Sequence, residues 1–363
     1  MEGERGGGRE VSMVYVVTGG CGFLGSHLVQ LLLEAEPDLG ELRVFDLRPD
    51  PDLIPPAHAS RVRLLHGDVT DAVAMGQALD GAHVVLHCAA LVDVWGRVSP
   101  EAIARVNVQG TRTVIAACRA QGVRCLIYTS SMEVVGPNTR GDPFLRGHED
   151  SPYPTRHTEP YSRSKAQAER LVLEANGSRV RGGGQLVTVA LRPTGIYGER
   201  HPLLERLYLR GCSAGGRLFC FLPERAEHGR VYVGNVAWMH ILAARAALSS
   251  PCPISGQVFF CYDSSPPLPY EELSAVVLGL RYHRGALVPP VGLLRLLAAL
   301  SALLARVLPH RAPLLTPATL AMGSTPFTVR TDKANRVFGY KPLYTWEEAK
   351  ERTREWAKGL KGS

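Results

Sequence analysis

The segment Thr18-Gly19-Gly20-Cys21-Gly22-Phe23-Leu24-Gly25 constrains this chain most. It follows an apolar run at 13–17 and opens an amphipathic stretch at 23–33, which Pro37 closes. A strand, a glycine-rich turn and a helix in that order hold a dinucleotide pyrophosphate for a physical reason. Glycine permits the tight turn, lets the backbone approach the phosphates, and lets the helix pack closely on the strand. The helix N-terminus then offers unpaired N–H groups and a partial positive charge. Gly19, Gly22, Phe23, Leu24 and Gly25 are the expected phosphate-facing residues.

The first half of the chain continues as short apolar runs alternating with amphipathic stretches. Strands are expected at 42–46, 62–66, 84–89, 125–130 and 186–191, with helices at 102–121 and 161–174. That rhythm predicts an α/β fold, a Rossmann-type doubly wound parallel sheet covered on both faces. Asp46 ends the second strand, 21 residues after Gly25. A carboxylate there accepts hydrogen bonds from the adenosine ribose and repels a 2′-phosphate, which favours NAD over NADP. Asp68, after the third strand, is placed either to meet the adenine amino group or to cap the next helix. Ala89, at the end of the fourth, is small enough for a cofactor to lie against.

The second constraint is Tyr161-Ser162-Arg163-Ser164-Lys165. A phenol and an ammonium four residues apart share a helix face. The ammonium can lower the phenol's pKa from near 10 toward a useful base, and can also hold the nicotinamide ribose. Ser131, in Tyr128-Thr129-Ser130-Ser131, is positioned to hydrogen-bond the substrate oxygen, with Ser130 as an alternative. Asn107 is either a helix-interior structural residue or part of a water chain to Lys165. Pro193, at the end of the sixth strand, is expected to cover the nicotinamide. Together these predict hydride exchange between a nicotinamide cofactor and an alcohol or ketone.

Composition narrows the partners. Apolar residues make up 45% and charged residues 21% of the 363, a globular balance. The net charge of +7 is scattered and forms no basic run interleaved with aromatics, so nucleic acid is not expected. Eight cysteines lack paired metal spacing and read as reduced thiols facing the cytosol; no metal is expected. Residues 1–12 read as a disordered tail without an apolar leader.

After Gly198 the rhythm loosens. Strands at 230–233 and 257–261 and a helix at 236–248 are assigned to a smaller substrate lobe, closed by an amphipathic helix at 346–360. Residues 286–308 form a Leu/Ala-dominated run interrupted by Arg295, Ser301 and Arg306. The two arginines lie three turns apart on one face, which suits a helix in a membrane interface; a spanning mode stays open. The expected layout is thus a dinucleotide-binding domain at 13–198, a substrate lobe at 199–285 and 312–363, and a membrane-associated segment at 286–311.

The quoted motifs, with Arg192-Pro193-Thr194-Gly195-Ile196-Tyr197-Gly198, Tyr232-Val233-Gly234-Asn235-Val236-Ala237-Trp238 and Gly339-Tyr340-Lys341-Pro342, resemble the extended short-chain dehydrogenases. More closely, the chain resembles the 3-beta-hydroxysteroid dehydrogenase/isomerase family, nearest its 27-carbon sterol branch in bile-acid synthesis. The resemblance implies NAD-dependent oxidation of the 3-beta-hydroxyl of 7-alpha-hydroxylated 5-ene sterols and isomerisation to the 3-oxo-4-ene. It also implies an endoplasmic reticulum membrane location with the catalytic domain on the cytosolic side. Tyr161 would be the proton acceptor, Lys165 its partner and Ser131 the oxyanion partner; no residue is identified as the isomerase proton carrier. A homodimer is one open assembly state. The alternatives are a steroid-hormone-forming member of the family, a nucleotide-sugar epimerase or dehydratase, and a non-catalytic dinucleotide-binding scaffold.

Overall fold

The computed structural model describes residues 12–93, 97–137, 140–153, 155–220, 226–284, 291–307 and 316–360. The expected tail at 1–12 lies outside them except for Ser12, as do 286–290 and 308–311 of the expected membrane segment. Seven parallel strands form one sheet: β1 (Met13–Thr18), β2 (Leu39–Asp46), β3 (Val62–His66), β4 (Val84–His87), β5 (Cys125–Thr129), β6 (Val187–Pro193) and β7 (Val258–Cys261). Their order is β3-β2-β1-β4-β5-β6-β7. The chain therefore winds outward from β1 in one direction, then returns and winds from β4 in the other. This Rossmann order leaves a crevice between the C-terminal ends of β1 and β4.

Period-two alternation explains the layers. Tyr15 and Val17 of β1 join one core cluster with helices α1 (Phe23–Ala35) and, late in the chain, Val233–Ser249; Val16 points into the opposite cluster. The opposite face is covered by α2 (Ala72–Leu79) and α3 (Gly110–Gln121), followed by α4 (Pro160–Glu174). Burial on both faces is why these strands read as apolar runs.

Several elements differ from the sequence reading. The expected helix at 102–121 begins at Pro100 and is interrupted by a π-helical turn, Arg105–Gln109. β4 stops at His87 and β5 at Thr129, short of Ala89 and Ser130. β7, expected in a substrate lobe, instead pairs with β6 and completes the main sheet, with Phe259, Phe260 and Cys261 all fully buried. The helix expected at 236–248 starts at Val233, packs on α1 and is labelled α5 (Val233–Ser249).

Three two-stranded parallel pairs lie outside the sheet: Gly195–Tyr197 with Arg230–Tyr232, Arg217–Cys220 with Arg281–Arg284, and Phe144–Gly147 with Phe327–Val329. Helix α6 (Val291–Val307) buries Leu294 and Ala298 against Leu320. Its Leu293, Leu296, Leu297, Leu300 and Leu303 are 43–57% exposed. Among the described residues no helix is long and apolar enough to cross a membrane.

Candidate active site

The glycine loop is shaped by contacts that exclude side chains. Gly19 has φ +69°, and a Cβ there would lie 2.8 Å from the Ala89 Cα, so β1 and Ala89 close on each other across the crevice. A Cβ on Gly25 would sit 2.0 Å from the Gly19 carbonyl oxygen. Gly22 is the N-cap of α1; no side chain caps that helix and its first turn holds no acidic residue. The first-turn N–H groups thus have neither a side-chain cap nor an acidic residue of their own helix to engage them, which fits a dinucleotide phosphate. Leu24 is buried in the core, so only its backbone can serve a ligand. The Phe23 ring stands edge-on to His201, with centroids 4.8 Å apart.

Asp46 sits at the rim. Its carboxylate accepts the Cys21 N–H at 3.0 Å and the Arg48 N–H at 2.9 Å, which fixes the loop and the carboxylate together. The proline-rich tract that follows forms two 3₁₀ turns, Pro51–Leu53 and Pro56–Arg61. Asp68 is not a helix cap: Asp71 caps α2 through the N–H groups of Val73 and Ala74. Asp68 accepts the Thr70 N–H at 2.9 Å and meets Arg105 at 3.2 Å. Burial raises its carboxyl, and those bonds more than offset it, so the group lies below its ordinary range.

A hydrogen-bond chain holds the crevice floor. Thr111 donates to the Asn107 carbonyl at 2.7 Å, so it accepts from His87 Nε2 at 3.0 Å. The His87 Nδ1 is then the acceptor and takes the Thr18 hydroxyl at 2.7 Å. Thr18 in turn receives the Ala89 N–H at 3.4 Å. Burial, and then the Lys165 charge, pull the His87 pKa down to about 3, which keeps the ring neutral. The Asn107 amide makes no direct bond to Lys165. Its two N–H bonds go to the Leu91 carbonyl and the Ser164 hydroxyl, and its oxygen accepts the Leu91 N–H. The π-helical turn supplies the register for that bridge, and such turns recur at functional sites.

At the end of β5 the chain alternates sharply. Ser130 turns away and donates to Glu169 at 2.6 Å; Glu169 also takes two bonds from Arg192, at 2.8 and 2.6 Å. Ser131 turns the other way, and its side chain pairs with the Tyr161 hydroxyl. Lys165, one turn along α4 from Tyr161, is 3% exposed and donates to the Thr129 carbonyl at 2.7 Å. Pro193 is buried at the end of β6.

The electrostatics correct one expectation. Burial outweighs any lowering of Tyr161 by Lys165. Burial pushes the phenol well above its ordinary value, the Glu133 carboxylate adds to that, and the Ser131 bond opposes it. Burial lowers Lys165 to about 8, against smaller raising effects from Cys88, Glu169 and Glu133. Desolvation wins because both groups are enclosed.

Glu133, which the sequence reading does not single out, is part of this cluster. It is 8% exposed, in the single turn Met132–Val134 that Ser131 caps, and it accepts the Ser162 hydroxyl at 2.6 Å. Burial raises its carboxyl to about 7. Its spacing of two from Ser131 carries no periodic signal; only the fold of β5 onto α4 brings it beside Tyr161.

Comparison with known proteins agrees with this geometry. Residues 16–285 match the model of the 3-beta hydroxysteroid dehydrogenase/isomerase family. The chain is 56% identical over 358 residues to 3 beta-hydroxysteroid dehydrogenase type 7 of Homo sapiens, covering 97% of each. It is 41% identical over 347 residues to the 3 beta-hydroxysteroid dehydrogenase/Delta 5-->4-isomerase of Vaccinia virus (strain Western Reserve), covering 94% of this chain and 98% of the other. Among solved structures, the dTDP-glucose 4,6-dehydratase DesIV of Streptomyces venezuelae, with NAD and TYD bound, superposes with TM-score 0.69 at 23% identity over 96% of this chain and 98% of that one. The UDP-glucose 4-epimerase of Thermus thermophilus, in complex with NAD, gives 0.66 at 23% over 96% and 99%. At that identity these neighbours share the fold. By its family match and its relatives, the chain belongs to the 3-beta hydroxysteroid dehydrogenase/isomerase family.

Proposed function

We propose that this chain oxidises the 3-beta-hydroxyl of 7-alpha-hydroxylated 27-carbon 5-ene sterols and shifts the double bond to give the 3-oxo-4-ene of bile-acid synthesis. The carrying observation is the enclosed Ser131–Tyr161–Lys165 group beside a side-chain-free glycine loop, in a chain 56% identical to a type 7 relative. The cofactor is NAD. Gly19, Gly22, Phe23, Leu24 and Gly25 hold its pyrophosphate by their backbone, Asp46 its adenosine ribose, Asp68 its adenine edge, and Ala89 and Pro193 flank its nicotinamide half. Asp46 would repel a 2′-phosphate.

Bound NAD supplies the hydride acceptor and a positive charge that opposes the upward push on the phenol. Tyr161 takes the hydroxyl proton as the carbonyl forms, and Ser131 donates to the substrate oxygen. Lys165 anchors the nicotinamide ribose and, through its bond to Thr129, the end of β5. The neutral His87 and the fully engaged Asn107 amide position the floor without taking a proton themselves.

The enzyme works at the endoplasmic reticulum membrane with its catalytic domain on the cytosolic face. The leucine-rich exposed side of α6 supports an interfacial mode, in which apolar side chains enter the headgroup boundary and Arg295 stays among the headgroups. The free thiols Cys118, Cys125 and Cys261, buried in the core, suit a reducing compartment.

The test is a direct one. Microsome-bound protein, given NAD and a 7-alpha-hydroxylated 3-beta-hydroxy-5-ene sterol, should produce NADH and then a conjugated enone, each followed by absorbance. NADH without enone would remove the isomerase; neither signal would remove the sterol substrate.

A further inference from the structure

We propose that Glu133 is the catalytic carboxylate of the isomerase reaction, moving a proton from carbon 4 to carbon 6 of the sterol. The inference rests on the sterol reading above and supplies the carrier that the sequence left unassigned. Moving a double bond from 5,6 to 4,5 needs a group that takes a proton from the carbon beside the ketone and returns one two carbons away. That group must be a weak base shielded from water, and it must sit next to the donor that holds the enolate oxygen.

Glu133 meets those conditions by position. It is enclosed and lies two residues after Ser131, in the turn that Ser131 caps. Its hydrogen bond goes to Ser162, the residue after Tyr161 on α4, and its charge is felt by Tyr161 itself. Two other buried carboxylates near the sheet are neutralised: Glu169 is held by Arg192 and Glu36 by Arg245. Glu133 forms no ion pair among the described residues. The groups that act on it are the Ser162 hydroxyl, Glu159, Lys165 and Tyr161. Burial brings its titration to about 7, where it can both accept and return a proton.

The chemistry balances. The Glu133 carboxylate removes the proton from carbon 4, and the C–H electron pair forms the 3,4 double bond as the ketone becomes an enolate. Tyr161 and Ser131 hydrogen-bond that oxygen; burial, which keeps the phenol protonated, suits Tyr161 to donate here. The Glu133 carboxylic acid then delivers the proton to carbon 6 as the carbonyl re-forms, and the carboxylate is regenerated. Nothing is oxidised or reduced in this half of the reaction.

The test gives full-length protein with NADH a 5-ene-3-oxo sterol, which bypasses the oxidation, and reads the enone. Glu133→Gln keeps the Ser162 contact and should slow isomerisation more than 100-fold, while NADH formation from the 3-beta-hydroxysterol falls less than tenfold. Glu133→Asp should recover part of the isomerase rate. The wild-type isomerisation rate should rise with pH through about 7, a limb absent from Glu133→Gln. Isomerisation by Glu133→Gln near the wild-type rate overturns the proposal, as does equal loss of both activities in a folded variant that binds NADH normally. Wild-type protein that fails to convert the 5-ene-3-oxo sterol sinks the sterol reading instead. Should neither variant fold, sterol deuterated at carbon 4 decides with wild-type protein. A shielded carboxylate carries label to carbon 6, and complete washout to solvent overturns it.

Discussion

At the scale of single residues, two groups on facing elements titrate in ways that burial sets. Tyr161→Phe keeps the ring and removes the oxygen. NADH formation should fall by about 10²–10⁴-fold, with cofactor affinity nearly unchanged by fluorescence titration. Retained turnover would remove the proton-acceptor role. Glu133 affects stability with a definite sign. Its folded value of about 7 lies above the ordinary 4.5, so the folded state binds the proton more tightly. The stabilising contribution of the protonated form is present below about 4.5 and is lost as pH rises through 7. Glu133→Gln, a stand-in for the protonated acid, should therefore match wild type in denaturant midpoint near pH 5. Above pH 7 it should be more stable, by on the order of 3 kcal/mol. An equal shift at both pH values would mean that the carboxyl is not enclosed as described.

At the scale of elements, close approaches decide what each position tolerates. Gly25→Ala places a methyl 2.0 Å from the Gly19 carbonyl, so the loop must open. NAD binding should weaken at least tenfold by calorimetry, well beyond the effect of Gly22→Ala, whose Cβ would stand 3.2 Å from the same oxygen. The Ser130–Glu169–Arg192 group joins the end of β5, α4 and β6. Glu169→Ala strands the Arg192 guanidinium, 12% exposed, and should cost about 3–5 kcal/mol by chemical denaturation. A loss below about 1 kcal/mol would show that water reaches the arginine. On α6, replacing Leu293, Leu296, Leu300 and Leu303 by serine should release the protein from anionic phospholipid vesicles in co-sedimentation. Turnover on detergent-dispersed sterol should persist. Unaltered co-sedimentation would remove the interfacial mode.

At the scale of the molecule, what can be read from the sequence is local and what cannot is topological. The glycine loop and the Tyr161/Lys165 spacing each specify their geometry within a few residues, so they announce a dinucleotide crevice and a helix face directly. Asp46 is legible because a strand end has one direction to present a carboxylate. The balance of charges is not. Whether Lys165 lowers Tyr161 depends on which carbonyl takes the ammonium and how dry the cluster is, and Thr129 and Glu133 enter only through packing. The choice between Ser130 and Ser131 needs the point where β5 stops. β7 escapes its place in the sheet because its sequence, apolar on both faces, does not say which edge it joins.

That last strand has a consequence for synthesis. Until residue 261 has left the ribosome, β6 presents a bare row of backbone donors and acceptors along its outer edge. The nucleotide cradle is translated early, yet its platform stays open to mispairing for some sixty residues after β6 is made. Shortened forms that stop near residue 198 should be recovered as aggregates rather than as an autonomous NAD-binding module.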